Sequence, residues 1–244
     1  MPSDCPGPRY IYMEVKTVKF IKYVVGTLVV IVLALLVFGV ISLFFDTNYV
    51  KDGTYVSHYG HFKFKIPSSM SQGGNRDDGR HFVRFTNDWC ELYRIDYGEI
   101  PEVEKPVLAK HGREKFEEYF LRDVYVNMFL QPRLPEGKIN VDFVEYRSDV
   151  HGGSLYAQLN MPNGSVCEAH ENGVLTGRDD AKRALLVVIK DDKTYVITTT
   201  LNVALTGFGG AGTSAPLSRK VWSNSLRDKL KYQTLGFANS IEFF

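Results

Sequence analysis

Tyr23–Phe45 (YVVGTLVVIVLALLVFGVISLFF) constrains this chain more than any other stretch: 23 residues without a formal charge, between Lys22 and Asp46. At about 1.5 Å per residue a helix of that length reaches roughly 34 Å, against a bilayer hydrocarbon core of about 30 Å. Only Thr27 and Ser42 bring polar side chains after Tyr23, and a hydroxyl can bond back to its own helix. A cleaved signal peptide would have a shorter apolar run and a small-residue cleavage site, whereas this run ends in Leu43-Phe44-Phe45. The pattern therefore predicts a single transmembrane helix over 23–45.

Arg9, Lys16, Lys19 and Lys22 precede the run, and only Lys51 follows it closely. That bias predicts a short cytoplasmic tail over 1–22, a signal-anchor, and residues 46–244 outside the cytoplasm. A bacterial inner membrane with a periplasmic domain is the expected setting. Cys5 falls in the tail, and Cys90 and Cys167 fall in the domain as an even pair; a disulfide between these two is one expectation, free buried thiols the other. Asn163-Gly164-Ser165 fits a glycosylation acceptor in a eukaryote and a tight turn in any cell.

Asp46–Ser57 reads as a linker with a turn at Asp52-Gly53. The domain proper is expected over 58–244. Phe62, Phe64 and Ile66 alternate with His61, Lys63 and Lys65, a half-buried strand stopped by Pro67. Ser68–Gly79 is a loop by composition. Strands are expected at about Arg80–Phe85 and Cys90–Tyr97, joined by Thr86–Trp89. Val107–Leu130 reads as one α-helix: Phe116, Phe120, Val124 and Met128 recur every four residues, while Arg113, Glu114, Lys115, Glu117 and Glu118 face water. Strands resume over Lys138–Arg147 and Leu155–Met161, and Pro162–Lys182 reads as a long polar loop. Ala184–Ile189 and Thr194–Val203 should form the sheet centre around a turn at Asp191-Asp192. A second helix is expected over Leu217–Leu235, with Trp222, Leu226 and Leu230 inward, and an edge strand at Ile241–Phe244. Strand runs broken by two amphipathic helices predict an α+β class: one antiparallel-sheet domain with two packed helices.

The order of these elements resembles the PsbP-type α/β/α-sandwich superfamily, known from extrinsic photosystem subunits and a nuclear-import factor. The residues that carry the resemblance are Phe62–Pro67, the hairpin strand beginning Lys193-Thr194-Tyr195, Trp222 heading a helix, and Phe237–Ile241 near the end. The resemblance covers most of 58–244 and implies a role in binding and assembly. It assigns no functional residue.

Several patterns in the sequence bear on chemistry. Gly207-Phe208-Gly209-Gly210-Ala211-Gly212 spells G-x-G-x-x-G, but it follows a late hairpin and does not open a helix, so a flexible loop is the better reading. His58 and His61, three apart on a strand, point to opposite faces; Cys167 and His170 share a loop; no four-ligand set is visible, and neither metal nor cofactor is expected. Residues 46–244 carry a net charge of −1, which excludes a nucleic-acid binder. Trp89 and Phe208, aromatic residues in loops, and the basic Arg219 and Arg227 of the second helix are the expected partner surface. The sequence thus predicts a membrane-anchored binding or assembly protein with a protein partner in a membrane complex. The alternative is a tethered hydrolase, which would need His151 or His170 beside an acid in a deep pocket.

Overall fold

The computed structural model describes residues 24–36, 48–67, 74–134, 137–171, 174–203 and 219–244; of the side chains at 168–171, 174–176 and 219–224 nothing is stated. The chain divides into two compact units, Met1–Thr47 and Asn48–Phe244.

In the first unit, residues 24–36 are helical and exposed. Thirteen residues reach about 20 Å, short of a hydrocarbon core of about 30 Å. Among the described residues no helix is long and apolar enough to cross a membrane. This corrects the expected transmembrane helix over 23–45 and what was built on it: the single-pass signal-anchor, the bilayer as partner, and the periplasmic placement of 46–244. Tyr23, residues 37–45 and the expected tail over 1–22 lie outside the described residues.

The second unit is α+β with antiparallel sheets. Its main sheet has seven strands in the order β4-β5-β6-β12-β11-β8-β7. Here β4 is Asn75–Asp78, β5 Phe82–Thr86, β6 Leu92–Glu99, β7 Asn140–Arg147, β8 Ser154–Met161, β11 Ala181–Lys190 and β12 Lys193–Asn202. The two most apolar strands pair from Ala181↔Asn202 to Lys190↔Lys193. Asp191 and Asp192, at φ 49° and 59°, form the two-residue turn between them. A smaller sheet, in the order β1-β2-β3-β13, joins β1 (Tyr49–Lys51), β2 (Thr54–Ser57), β3 (Phe62–Lys65) and β13 (Ile241–Phe243).

Both faces of the main sheet are covered. On one, Ile95, Tyr97, Leu186, Tyr195 and Ile197 pack beneath Tyr55, Phe62 and Phe64 of the small sheet. The same cluster takes in Leu226, Leu230 and Phe237 of a helix, α3 (Arg219–Asn239). On the other face, Leu155, Leu159, Leu185, Val187 and Val196 meet Leu121, Tyr125, Val126 and Leu130.

The expected helix over Val107–Leu130 is three pieces. Helix α1 (Lys105–His111) ends at Gly112, whose φ of 78° favours glycine. Helix α2 (Arg113–Tyr119) follows and opens into a π-helical segment, Phe120–Leu130. The Gln131 amide bonds the Val126 carbonyl five residues back, the π pattern. The wider turn moves the inward register: Phe129 is half-buried while Met128 is 72% exposed, contrary to the four-residue spacing read from the sequence. Glu117, expected to face water, is fully buried. The expected linker over 46–57 contains the β1–β2 hairpin, turned at Asp52-Gly53. The expected loops hold strands as well: β4 within 68–79, and β9 (Glu168–Glu171) paired with β10 (Val174–Arg178) within 162–182. Gly164 donates its amide to the Met161 carbonyl beside Asn163 at φ 53°, so 161–164 is a tight turn.

The second position of a two-residue hairpin turn with both φ positive prefers glycine. Asp192→Gly is expected to stabilise the domain by about 1 kcal/mol, through relief of the left-handed conformation at φ 59°, read as a higher midpoint in thermal melting; a lower midpoint would refute the turn assignment.

Candidate functional site: a tryptophan-bearing turn

The β5–β6 connection, residues 87–91, is held from four directions. The Asn87 side-chain oxygen accepts from the amides of Trp89 and Glu91, each at 3.0 Å, and its Nδ2 donates to the Glu91 carboxylate at 3.1 Å. The Asn87 carbonyl accepts from the Cys90 amide at 3.0 Å, and the Asn87 amide donates to the Glu91 carbonyl at 3.2 Å. Asparagine is the residue whose short amide can fold back on a turn in this way. Cys90 sits at φ 60° and is disulfide-bonded to Cys167, with their Cα atoms 5.6 Å apart. The turn is thereby fixed at its base, while the Trp89 side chain at its tip is 70% exposed.

Beside this turn is a hollow of about 580 Å³ lined by Ile66, Pro67, Glu91, Tyr93, Tyr232 and Phe237. Glu91 belongs to both features and reaches Lys229 of α3 at 3.5 Å. Tyr232, one turn further along α3, is 81% exposed. Trp89, two residues before Glu91, and Tyr232, which lines the same hollow as Glu91, are thus both large aromatic side chains left exposed. Tyr232 escaped the sequence reading because it lies off the Leu226–Leu230 stripe; that displacement is itself the signal that could have found it.

The other expected partner residues are placed differently. Arg227 packs its guanidinium 5.8 Å from the Phe143 ring, and its carbonyl accepts from Gln158 at 3.0 Å, so it belongs to the seat of α3 on β7 and β8. Phe208 and the G-x-G-x-x-G stretch lie outside the described residues, as do the side chains of Arg219, Trp222 and His170.

His58 and His61 do not converge. The first packs on Tyr49, ring centroids 5.7 Å apart, and the second on Phe244 at 6.3 Å. Among the described residues no group of three or more His, Cys, Asp and Glu side chains is placed to hold a metal.

His151, the histidine of the hydrolase alternative, sits at the turn between β7 and β8 and bonds the Ala238 carbonyl through Nε2 at 2.8 Å. Its ring meets Phe243 edge-on at 4.9 Å. Burial holds its pKa below the usual value, with Lys190 and Arg113 adding to the effect against the Ala238 bond. The nearest buried acid in this region, Glu117, is engaged by Arg113 at 2.8 Å, and Arg113 also donates to the carbonyls of Gly152 and Gly153. An arginine therefore stands between the acid and the histidine turn, which is a structural tie and not a base-and-orienter pair.

No family model matches the chain. No curated protein matches it by sequence. Among solved structures it is similar to cyanobacterial PsbP from Synechocystis sp. PCC 6803, at 15% identity over 78% of this chain and 91% of that one, with a TM-score of 0.44. It is also similar to the Ran-binding protein Mog1p of Saccharomyces cerevisiae, at 10% identity over 81% and 95%, with a TM-score of 0.43. The likeness is one of fold, and it is the PsbP-type likeness read from the sequence.

Two outcomes follow from these contacts. The disulfide spans 77 residues, for which chain entropy gives up to about 4.5 kcal/mol. Replacing both cysteines by alanine should lower the urea midpoint accordingly, and an unchanged midpoint would contradict it. Burial also lifts the Glu117 carboxyl from 4.5 to about 7, against the pull of Arg113. The folded protein then holds the proton more tightly than the unfolded chain. The stabilisation is complete below pH 4.5 and is lost as pH rises through 7, by at most about 3 kcal/mol. Urea unfolding at pH 5 and pH 8 should show this loss in the wild type and not in Glu117→Gln.

Proposed function

We propose that this protein is a binding or assembly module that docks a protein partner through the face formed by Trp89, Glu91 and Tyr232. The observation that carries the reading is Trp89 itself: a large apolar side chain left outside, on a turn whose backbone is fixed by Asn87 and by a disulfide. Interface anchors are enriched in tryptophan and tyrosine, and a residue whose backbone is already fixed has less freedom to lose on binding. The Glu91–Lys229 pair supplies the polar rim that such anchors have around them. The His151 environment supports no hydrolytic alternative, since the charged groups that act on this ring are both cations.

The test is site-specific photocrosslinking in the cells that make the protein. A crosslinker at Trp89 should capture one partner stoichiometrically, and a crosslinker at the still more exposed Val103 should not. In the uncrosslinked complex Trp89→Ala should weaken binding by about 2 kcal/mol or more with no change in melting temperature. Equal capture at both positions, or full affinity in Trp89→Ala, would refute the docking face.

A further inference from the structure

A second feature, independent of the Trp89 face, is a cleft of about 430 Å³ between the main sheet and the π-helical segment. This is within the size range of small-molecule sites. Phe120, Val124, Tyr125 and Phe129 form one wall. Their spacing of four to five residues is that of a π-helix, so the irregular helix is what brings these side chains to the cleft. Phe82 of β5 and Val196 of β12 face them.

The polar groups are few and fixed. Arg94 and Asp96, two apart on β6 and so on one face, form a two-point pair: Nε to Oδ2 at 2.7 Å and Nη2 to Oδ1 at 2.5 Å. The buried Tyr125 hydroxyl donates to Asp96 Oδ2 at 3.4 Å. Asp96 is thus engaged through both oxygens, while Nη1 of Arg94 takes no part in this pair and can meet an incoming acceptor. The Arg94 guanidinium lies 4.8 Å from the Phe82 ring centre, and that of Arg133 lies 3.7 Å from the Phe129 ring centre. Both cations are held against aromatic walls of the cleft. A neighbouring hollow of about 300 Å³ shares His81, Tyr97, Gly98 and Glu99 with it and adds Arg80 and Lys193. Four cations therefore surround the joined space, against the carboxylates of Asp96 and Glu99.

We infer that this cleft is a binding site for a small amphipathic anion, with an aromatic or aliphatic body against Phe82, Val124 and Phe129 and an acidic head at Arg94 and Arg133. Apolar walls select the body, and the guanidinium groups of Arg94 and Arg133, each set against an aromatic ring, select the charge.

The test uses two fluorescent probes of nearly the same shape, the anion 8-anilinonaphthalene-1-sulfonate and the uncharged N-phenyl-1-naphthylamine, titrated into the full chain. The anion should bind saturably and more tightly than the neutral probe. Val124→Trp fills the cleft and should weaken the anion by more than about tenfold, which separates this site from any binding at the exposed helix over 24–36. Arg133→Ala, an exposed change, should weaken the anion about tenfold and leave the neutral probe unaffected. Thermal melting confirms that each variant is folded; should Val124→Trp fail to fold, the Arg133→Ala comparison decides. Equal affinity for the two probes, or anion affinity unchanged in the folded variants, overturns the inference.

Discussion

The pairing of β11 with β12 is the interaction on which the rest of the domain depends. It runs without a break from Ala181↔Asn202 to Lys190↔Lys193, and nearly every residue in it is buried. Along β11, Ala184, Leu186 and Val188 point into the cluster beneath α3 and the small sheet. Leu185 and Val187, between them, point to the π-helical segment. A slip of one residue would exchange these sets and place each under the wrong layer. The register is pinned by the Asp191-Asp192 turn, whose carbonyl at Asp192 also accepts from the Ile100 amide at 2.8 Å. That one bond ties the centre of the sheet to the point where the chain leaves β6 for α1.

What was legible in the sequence follows from this architecture. Strands buried on one face alternate, as Phe62 and Phe64 do, and a strand buried on both is continuously apolar, as Ala184–Ile189 is. Period and turn residues therefore located the main strands and the centre of the sheet. The misses have local causes. The π-helical segment starts with the same residues an α-helix would use, and nothing in Phe116, Phe120, Val124 and Met128 announces that the register moves to Phe129. Glu117 looks solvent-facing beside Glu118, yet it is buried with its charge met by Arg113. Asn75–Asp78 is polar throughout because it is an edge strand, paired only with β5, and so resembles a loop in composition. The apolar run at 23–45 suggested a length that the described helix over 24–36 does not reach.

The two surfaces proposed for recognition share a support. The β5–β6 hairpin carries Trp89 in its loop, and Arg94 and Asp96 lie within its second strand. Of the candidate site, Trp89 and the two cysteines stood out in the sequence because tryptophan in a loop and a cysteine pair are rare. The cleft did not. Its walls come from β5, β6, β12 and the π-helical segment, brought together only by the fold, and its key pair Arg94–Asp96 reads in the sequence as the ordinary polar side of a strand. Mid-strand, the hairpin is rigid because β12 pairs it from Thr200↔Leu92 to Lys193↔Glu99. Both sites are thus mounted on a hairpin that is paired directly to β12, one of the two central strands.

The Cys90–Cys167 bond also has a mechanical meaning. It closes a covalent ring that includes all of β6, α1, α2, the π-helical segment, β7 and β8. Tension applied along the chain from its two ends passes through the sulfur bridge and bypasses residues 91–166. A pull would have to strip β1–β5 on one side and β9–β13 on the other, while the π-helical wall of the cleft carried no load along its backbone. The domain is therefore divided, under force, into an outer part that can be drawn out and an inner loop whose contour length is withheld until the bond is reduced.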